Sequence, residues 1–146
     1  IEFADKWKSI LKQHKRVHDK LCPLATGFNF NATPKHTVPP HIDVDKPLYF
    51  NLLVPVFGVA KLNIYETKEE DLEFRHGLSH WKMLQEGIKG EKIGELIVDK
   101  PVLLNTNYLH DVIPIDTPRC VWCTRWIDIP KHYTYRSFKK HVENIL

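Results

Sequence analysis

Hydrophobic positions along the chain follow two different periods. From residue 3 to residue 21, Phe3, Trp7, Ile10, Leu11, Val17 and Leu21 recur every three or four residues. Lys6, Lys8, Lys12, Lys15, Arg16 and Lys20 fall mostly between them, so this stretch predicts an amphipathic flanking helix ended by Pro23. Its basic face reads as a solvated outer surface. His14 and His18 stand i,i+4 on it but lack a third ligand nearby, so they read as surface residues. Beyond Leu21 the texture changes to short apolar runs punctuated by Pro, Gly, Asn and Asp. These predict about eight strands, at 27–33, 41–44, 48–56, 60–66, 95–98, 101–105, 110–113 and 121–127.

Many short strands without intervening helices predict a mainly β fold. A cupin-like double-stranded β-helix, the eight-stranded jelly roll, is the architecture expected, because it hosts metal sites in its mouth. One long interruption, 67–94, carries the charged run at 68–71 and a short helix-like stretch at 78–86 closed by Gly87. With His76, His80, Trp81 and Met83 it reads either as a lid over a substrate or as a surface excursion packed by Leu78, Trp81 and Leu84. Helical spacing of Phe138, Val142 and Ile145 predicts a short C-terminal helix over 136–146. The whole of 1–146 reads as one domain: a flanking helix at 3–21, a jelly-roll core at 27–127 and the closing helix.

Composition narrows the picture. A chain that is 42% hydrophobic and 27% charged can bury one substantial core. No apolar run approaches the ~18 residues of a membrane span, so no membrane partner is expected. A net charge of +3 is too small to imply nucleic acid. Three cysteines do not describe a disulfide scaffold, and reduced intracellular thiols are the simpler reading. The chain opens at Ile1 without a charged-then-apolar leader, which gives no support to secretion; a cytoplasmic protein is expected.

The candidate chemistry centres on His41-Ile42-Asp43. In an extended strand the imidazole and the carboxylate project from one face and Ile42 from the other, so the pair offers two adjacent corners of a metal's coordination shell. His110, which follows the apolar strand at 101–104 and the turn-like Asn105-Thr106-Asn107, is the candidate third ligand. Two His and one carboxylate on one side of an ion leave the other side open, the arrangement of non-haem Fe(II) oxygenases. A second triplet, His141 to Glu143, falls in a helical run where i and i+2 diverge, so it is not read as a ligand pair.

The strand at 119–127 adds a second element. Arg119, Val121, Cys123 and Arg125 share one face, and Cys120, Trp122, Thr124 and Trp126 the other. Cys120 and Cys123 therefore diverge, which argues against zinc on this Cys-x-x-Cys. An arginine facing a barrel interior needs an anion, and its planar fork suits a carboxylate.

With these residues in place, the chain resembles the 2-oxoglutarate/Fe(II)-dependent dioxygenases. The likeness rests on His41-Ile42-Asp43, on a distal His110 67 residues after Asp43, and on Arg119 nine residues later. It covers about residues 27–127 and looks closest to the aspartyl/asparaginyl and prolyl hydroxylase groups. The resemblance implies Fe(II) held by His41, Asp43 and His110, with no catalytic side chain beyond those ligands. It also implies 2-oxoglutarate as co-substrate, its distal carboxylate on Arg119. Arg125 is the rival for that role or for a substrate anion. Asn51, Asn63 and Tyr65, on neighbouring strands, are candidate hydrogen-bond donors to the co-substrate. The reaction implied is hydroxylation of a substrate carbon with decarboxylation of 2-oxoglutarate to succinate. Peptide side chains or small molecules are the favoured substrates, and neither their identity nor the oligomeric state is legible. Two other readings stay open: a cupin-like metalloenzyme that does not use 2-oxoglutarate, and a non-catalytic jelly-roll binding module.

Overall fold

The computed structural model describes residues 12, 15, 25–35, 38–43, 50–75, 78–126 and 134–145. Apart from Lys12 and Lys15, the predicted helix at 3–21, with His14 and His18, lies outside them. The described chain is mainly β. Its strands are β1 (Ala25–Asn31), β2 (Val38–Asp43), β3 (Phe50–Glu66), β4 (Leu72–Arg75), β5 (Leu78–Leu84), β6 (Glu91–Val98), β7 (Val102–Asn105) and β8 (Leu109–Trp126), followed by one helix, α1 (Tyr135–Ile145). They form one antiparallel sheet in the order β4-β5-β2-β8-β3-β6, with β1 added beside β8 and β7 beside β3, curled into a half-barrel. Among the described residues no helix is long and apolar enough to cross a membrane.

The strands divide differently from the sequence reading. The runs expected at 48–56 and 60–66 are one strand, β3, and those at 110–113 and 121–127 are one strand, β8. These two long strands pair with each other throughout and form the spine of the sheet. Gly58, Pro114 and Pro118 fall between the strands expected from the sequence but sit within the ladder, whose register shifts between Pro55 and Ala60. Gly58 has φ +70° there. A Cβ on it would stand 2.5 Å from the carbonyl oxygen of Pro118 and 2.7 Å from that of Asp116, so only glycine lets the two backbones approach this closely. The Thr117–Pro118 peptide bond on the facing strand is cis.

The two missing strands come from the interruption at 67–94. Its helix-like stretch at 78–86 is instead β5, which pairs with β4 on one side and with β2 on the other. A short 3-10 turn, Glu69–Asp71, precedes β4. The excursion is thus an extension of the sheet, because the open edge of β2 supplies backbone partners that a short isolated helix would lack.

Irregularity in the spine decides which residues face inward. On the first part of β3, Phe50, Leu52, Val54 and Val56 pack with Leu103, Cys120, Phe138 and Val142, so this face carries α1. Phe50 lies 5.0 Å from Phe138 between ring centroids, Thr134 caps the helix through its hydroxyl to the Ser137 amide, and Tyr135 donates to the Leu103 carbonyl. Leu53 points the other way, into a second cluster with Leu62, Val98, Leu104, Val121 and Cys123. Leu53 and Leu62 differ by an odd number of residues yet share a face, which regular alternation forbids. The bulged stretch between them absorbs the extra residue.

Candidate metal centre

His41 and Asp43 lie at the end of β2, and their common face is the concave one. Ile42 turns to the opposite side, where it packs with Leu72 and Leu109. In the β2–β8 ladder His41 is the direct partner of His110, so antiparallel pairing sets the two imidazoles side by side with ring centroids 4.4 Å apart. One ligand atom from each of His41, Asp43 and His110 falls within a group spanning at most 4.8 Å, and Nε2 of His41 is 3.5 Å from Oδ1 of Asp43. A first-row ion with bonds of about 2 Å spans donors at most about 4 Å apart, so side-chain rotation that draws the outermost donors together would let the three share one ion.

Both imidazoles are oriented by their own backbone. Nδ1 of His41 lies 2.7 Å from the Pro39 carbonyl, and Nδ1 of His110 lies 2.8 Å from the Tyr108 carbonyl. A carbonyl accepts only from N–H, so each contact assigns the proton to Nδ1 and leaves Nε2 as the ligating atom. Burial pulls the pKa of His110 below its ordinary value, with the charge of His41 adding to the effect against the Tyr108 carbonyl and two carboxylates. Burial pushes the Asp43 carboxyl up, but with the imidazoles in their charged form the hydrogen bond from His41 and the charges of His110, His41 and Arg125 outweigh it and hold it below the usual range. Neutral His110 and ionised Asp43 are the forms that bind a cation. The donor set therefore fits a divalent metal.

The three residues open onto a cavity of about 360 Å³, lined also by Asn51, Leu53, Leu104, Val112, Arg119, Val121 and Arg125 and edged by residues of β1. Arg119 is 4% exposed, and its Nη1 donates to Oδ1 of Asn31 at 2.9 Å. Burial lowers its pKa, with Cys123 and Cys120 pulling the other way. Among the described residues no carboxylate pairs with it. Arg125, exposed, lies at the far end of the same face, and Asn51, its cross-strand partner on β3, is buried with no partner for Oδ1 among the described residues.

Six of the eight site residues read from the sequence meet in this cavity: His41, Asp43, His110, Asn51, Arg119 and Arg125. Tyr65 does not. With Asn63 it faces the opposite side of the sheet, where its hydroxyl donates to Oδ2 of Asp111 at 2.8 Å while Asn63 Nδ2 donates to Oδ1 at 2.8 Å. The expectation that Tyr65 and Asn63 touch a co-substrate is corrected by the same bulge: beyond it the even-numbered Leu62 and Ile64 carry the cluster beneath the cavity. Asn31, Asp111 and the orienting carbonyls of Pro39 and Tyr108 were missed. Of these, only Asp111, next to a candidate ligand, carries any local signal. Cys120 and Cys123 are both buried and diverge into different clusters.

No protein-family model matches the sequence, and no curated protein matches it. Among solved structures, the chain is similar to the X-ray structure of E. coli ycfD, with 14% sequence identity and a TM-score of 0.47. The match covers 82% of this chain and spans 29% of that one. Likeness at that level decides neither fold nor function.

Proposed function

We propose that the chain is an Fe(II)- and 2-oxoglutarate-dependent oxygenase whose half-barrel is the metal-bearing part of a double-stranded β-helix. The observation that carries this reading is the pairing, in one small cavity, of a His/Asp/His group with a buried guanidinium that, among the described residues, has a neutral amide but no carboxylate beside it. Desolvating an arginine costs several kcal/mol unless an anion compensates. A dicarboxylate held by Arg119 would supply that anion.

In this reading Fe(II) with bound 2-oxoglutarate supplies the oxidising chemistry, in which 2-oxoglutarate, O₂ and a substrate C–H yield succinate, CO₂ and the alcohol. His41, Asp43 and His110 would hold the ion at the wall of the cavity. Arg119 would fork the distal carboxylate, and Asn31 fixes the guanidinium that would do so. Asn51, turned about its last bond, presents its NH₂ as a donor to a carboxylate oxygen. Leu53, Leu104, Val112 and Val121 make the wall apolar and keep water from the metal.

The test is titration of anaerobic protein with Fe(II) and 2-oxoglutarate, separately and together. A metal-to-ligand charge-transfer band that needs both supports the reading. Arg119→Lys keeps the charge but loses the fork, so it should weaken 2-oxoglutarate binding by about tenfold while leaving Fe(II) affinity unchanged. Metal binding without an effect of 2-oxoglutarate would instead favour a cupin-like metalloenzyme, and no metal binding a non-catalytic module.

A further inference from the structure

Arg125 stands apart from the machinery just described. It shares the concave face with Arg119, but six residues of strand separate their Cα atoms by roughly 20 Å, so each guanidinium has its own place in the cavity wall. Arg119 is buried beside Asn31 at one end; Arg125 is exposed at the other, close enough to Asp43 for its charge to act on that carboxylate. Among the described residues that line the cavity, Asp43 is the one carboxylate, and no ion pair is formed by Arg125.

Charge balance gives this arrangement a meaning. Two arginines and one aspartate leave the cavity at +1. A divalent ion raises it to +3, and 2-oxoglutarate, carrying two negative charges, returns it to +1. The residual charge lies at Arg125, the cation at the open end. Once the metal neutralises Asp43, Arg125 has lost the carboxylate that offset it.

Building on the oxygenase reading, we infer that Arg125 receives a single carboxylate of the substrate, which is a small carboxylic acid. One guanidinium balances one carboxylate, whereas a phosphate monoester carries about −1.5 to −2 at neutral pH and would overshoot. A cavity of about 360 Å³ is near the lower end of the roughly 300–1,000 Å³ of small-molecule sites, so with 2-oxoglutarate in place it leaves room for a small acid.

The test is calorimetry on the Co(II)-loaded protein, with and without 2-oxoglutarate. Free amino, hydroxy and simple carboxylic acids of three to six carbons are titrated, each against its primary carboxamide, beside one capped tripeptide with a central glutamate. At least one small acid should bind about tenfold or more tighter than its carboxamide. Arg125→Gln should erase that preference while changing the 2-oxoglutarate Kd by less than about twofold. Equal binding of acids and amides, no binding by any small acid, or a preference that survives Arg125→Gln overturns the inference. Preference confined to the tripeptide overturns the small-molecule assignment. Loss of 2-oxoglutarate binding in Arg125→Gln, with Arg119→Gln unaffected, gives Arg125 to the co-substrate and also overturns it. Failure of 2-oxoglutarate to bind the wild type sinks the oxygenase reading alone, since the arm without 2-oxoglutarate still reports on Arg125.

Discussion

The Tyr65 hydroxyl donates a 2.8 Å hydrogen bond to Oδ2 of Asp111, the residue that follows His110. Asn63 holds the other carboxylate oxygen, so a buried acid on the convex face is gripped from β3 while its neighbour faces the metal site. Burial and the Asp111 hydrogen bond push the Tyr65 phenol up to about 12, so it remains a donor throughout the neutral range. Tyr65→Phe deprives a buried carboxylate of one donor and is expected to cost about 1–3 kcal/mol. Urea denaturation of the metal-free protein reads this directly, and an unchanged midpoint would show that the contact contributes nothing.

Gly58 and Gly87 separate two costs that a Gly→Ala change usually mixes. Both have positive φ, but a Cβ on Gly87 meets nothing within 4 Å, whereas one on Gly58 runs into the backbone of Pro118, Arg119 and Asp116. Gly87→Ala should therefore cost only the strain of its conformation, about 1 kcal/mol. Gly58→Ala should cost clearly more, and by pressing on the Arg119 backbone it should also weaken 2-oxoglutarate binding. Thermal melts of the two variants provide the comparison; equal losses would mean that the spine yields at Gly58.

His41→Ala and Asp43→Ala are each expected to abolish binding of Co(II) or Fe(II) while moving the stability of the metal-free protein by no more than about 1 kcal/mol. Their side chains line a cavity, and the clusters that hold the sheet lie around them. For the wild type, metal at one hundred times its Kd should stabilise by about 2.7 kcal/mol, a gain that a chelator removes. Melting with and without metal tests both statements, and a large drop in the metal-free variants would assign the cluster a structural role.

Acid should destabilise the metal-free protein in two steps. The folded pKa of His110 lies below its ordinary value near 6.5, so below that pH the unfolded chain takes up a proton that the folded chain refuses. Stability is then level above the ordinary value and falls as pH drops beneath it. Asp43, with its folded pKa held below 3.8, contributes stability that is present above that value and lost as pH falls through the folded pKa. Urea midpoints at pH 7 and pH 5 should differ less in His110→Gln than in wild type. An identical difference would remove His110 as the cause.

What the sequence determined is local. Alternation by two put His41 and Asp43 together with Ile42 opposed, and Arg119, Val121, Cys123 and Arg125 in one row, because successive side chains of any extended chain point to opposite sides. Helical spacing likewise matched Phe138 and Val142 to one buried face of α1. These relations need no partner strand. What only the tertiary structure decided is how such rows combine. Gly58, Pro114 and Pro118 read as breaks between strands, yet hydrogen bonding between β3 and β8 carries the ladder past them with a shift of register, which turns Tyr65 away from the cavity and leaves Asn51 facing it. The stretch at 78–86, helix-like by itself, became a strand because β2 offered an open edge. The contact between Asn31 and Arg119, 88 residues apart, has no local signature at all. Side-chain parity is fixed by steric rules within a residue or two, whereas register and pairing are chosen by whichever distant backbone satisfies the N–H and C=O groups.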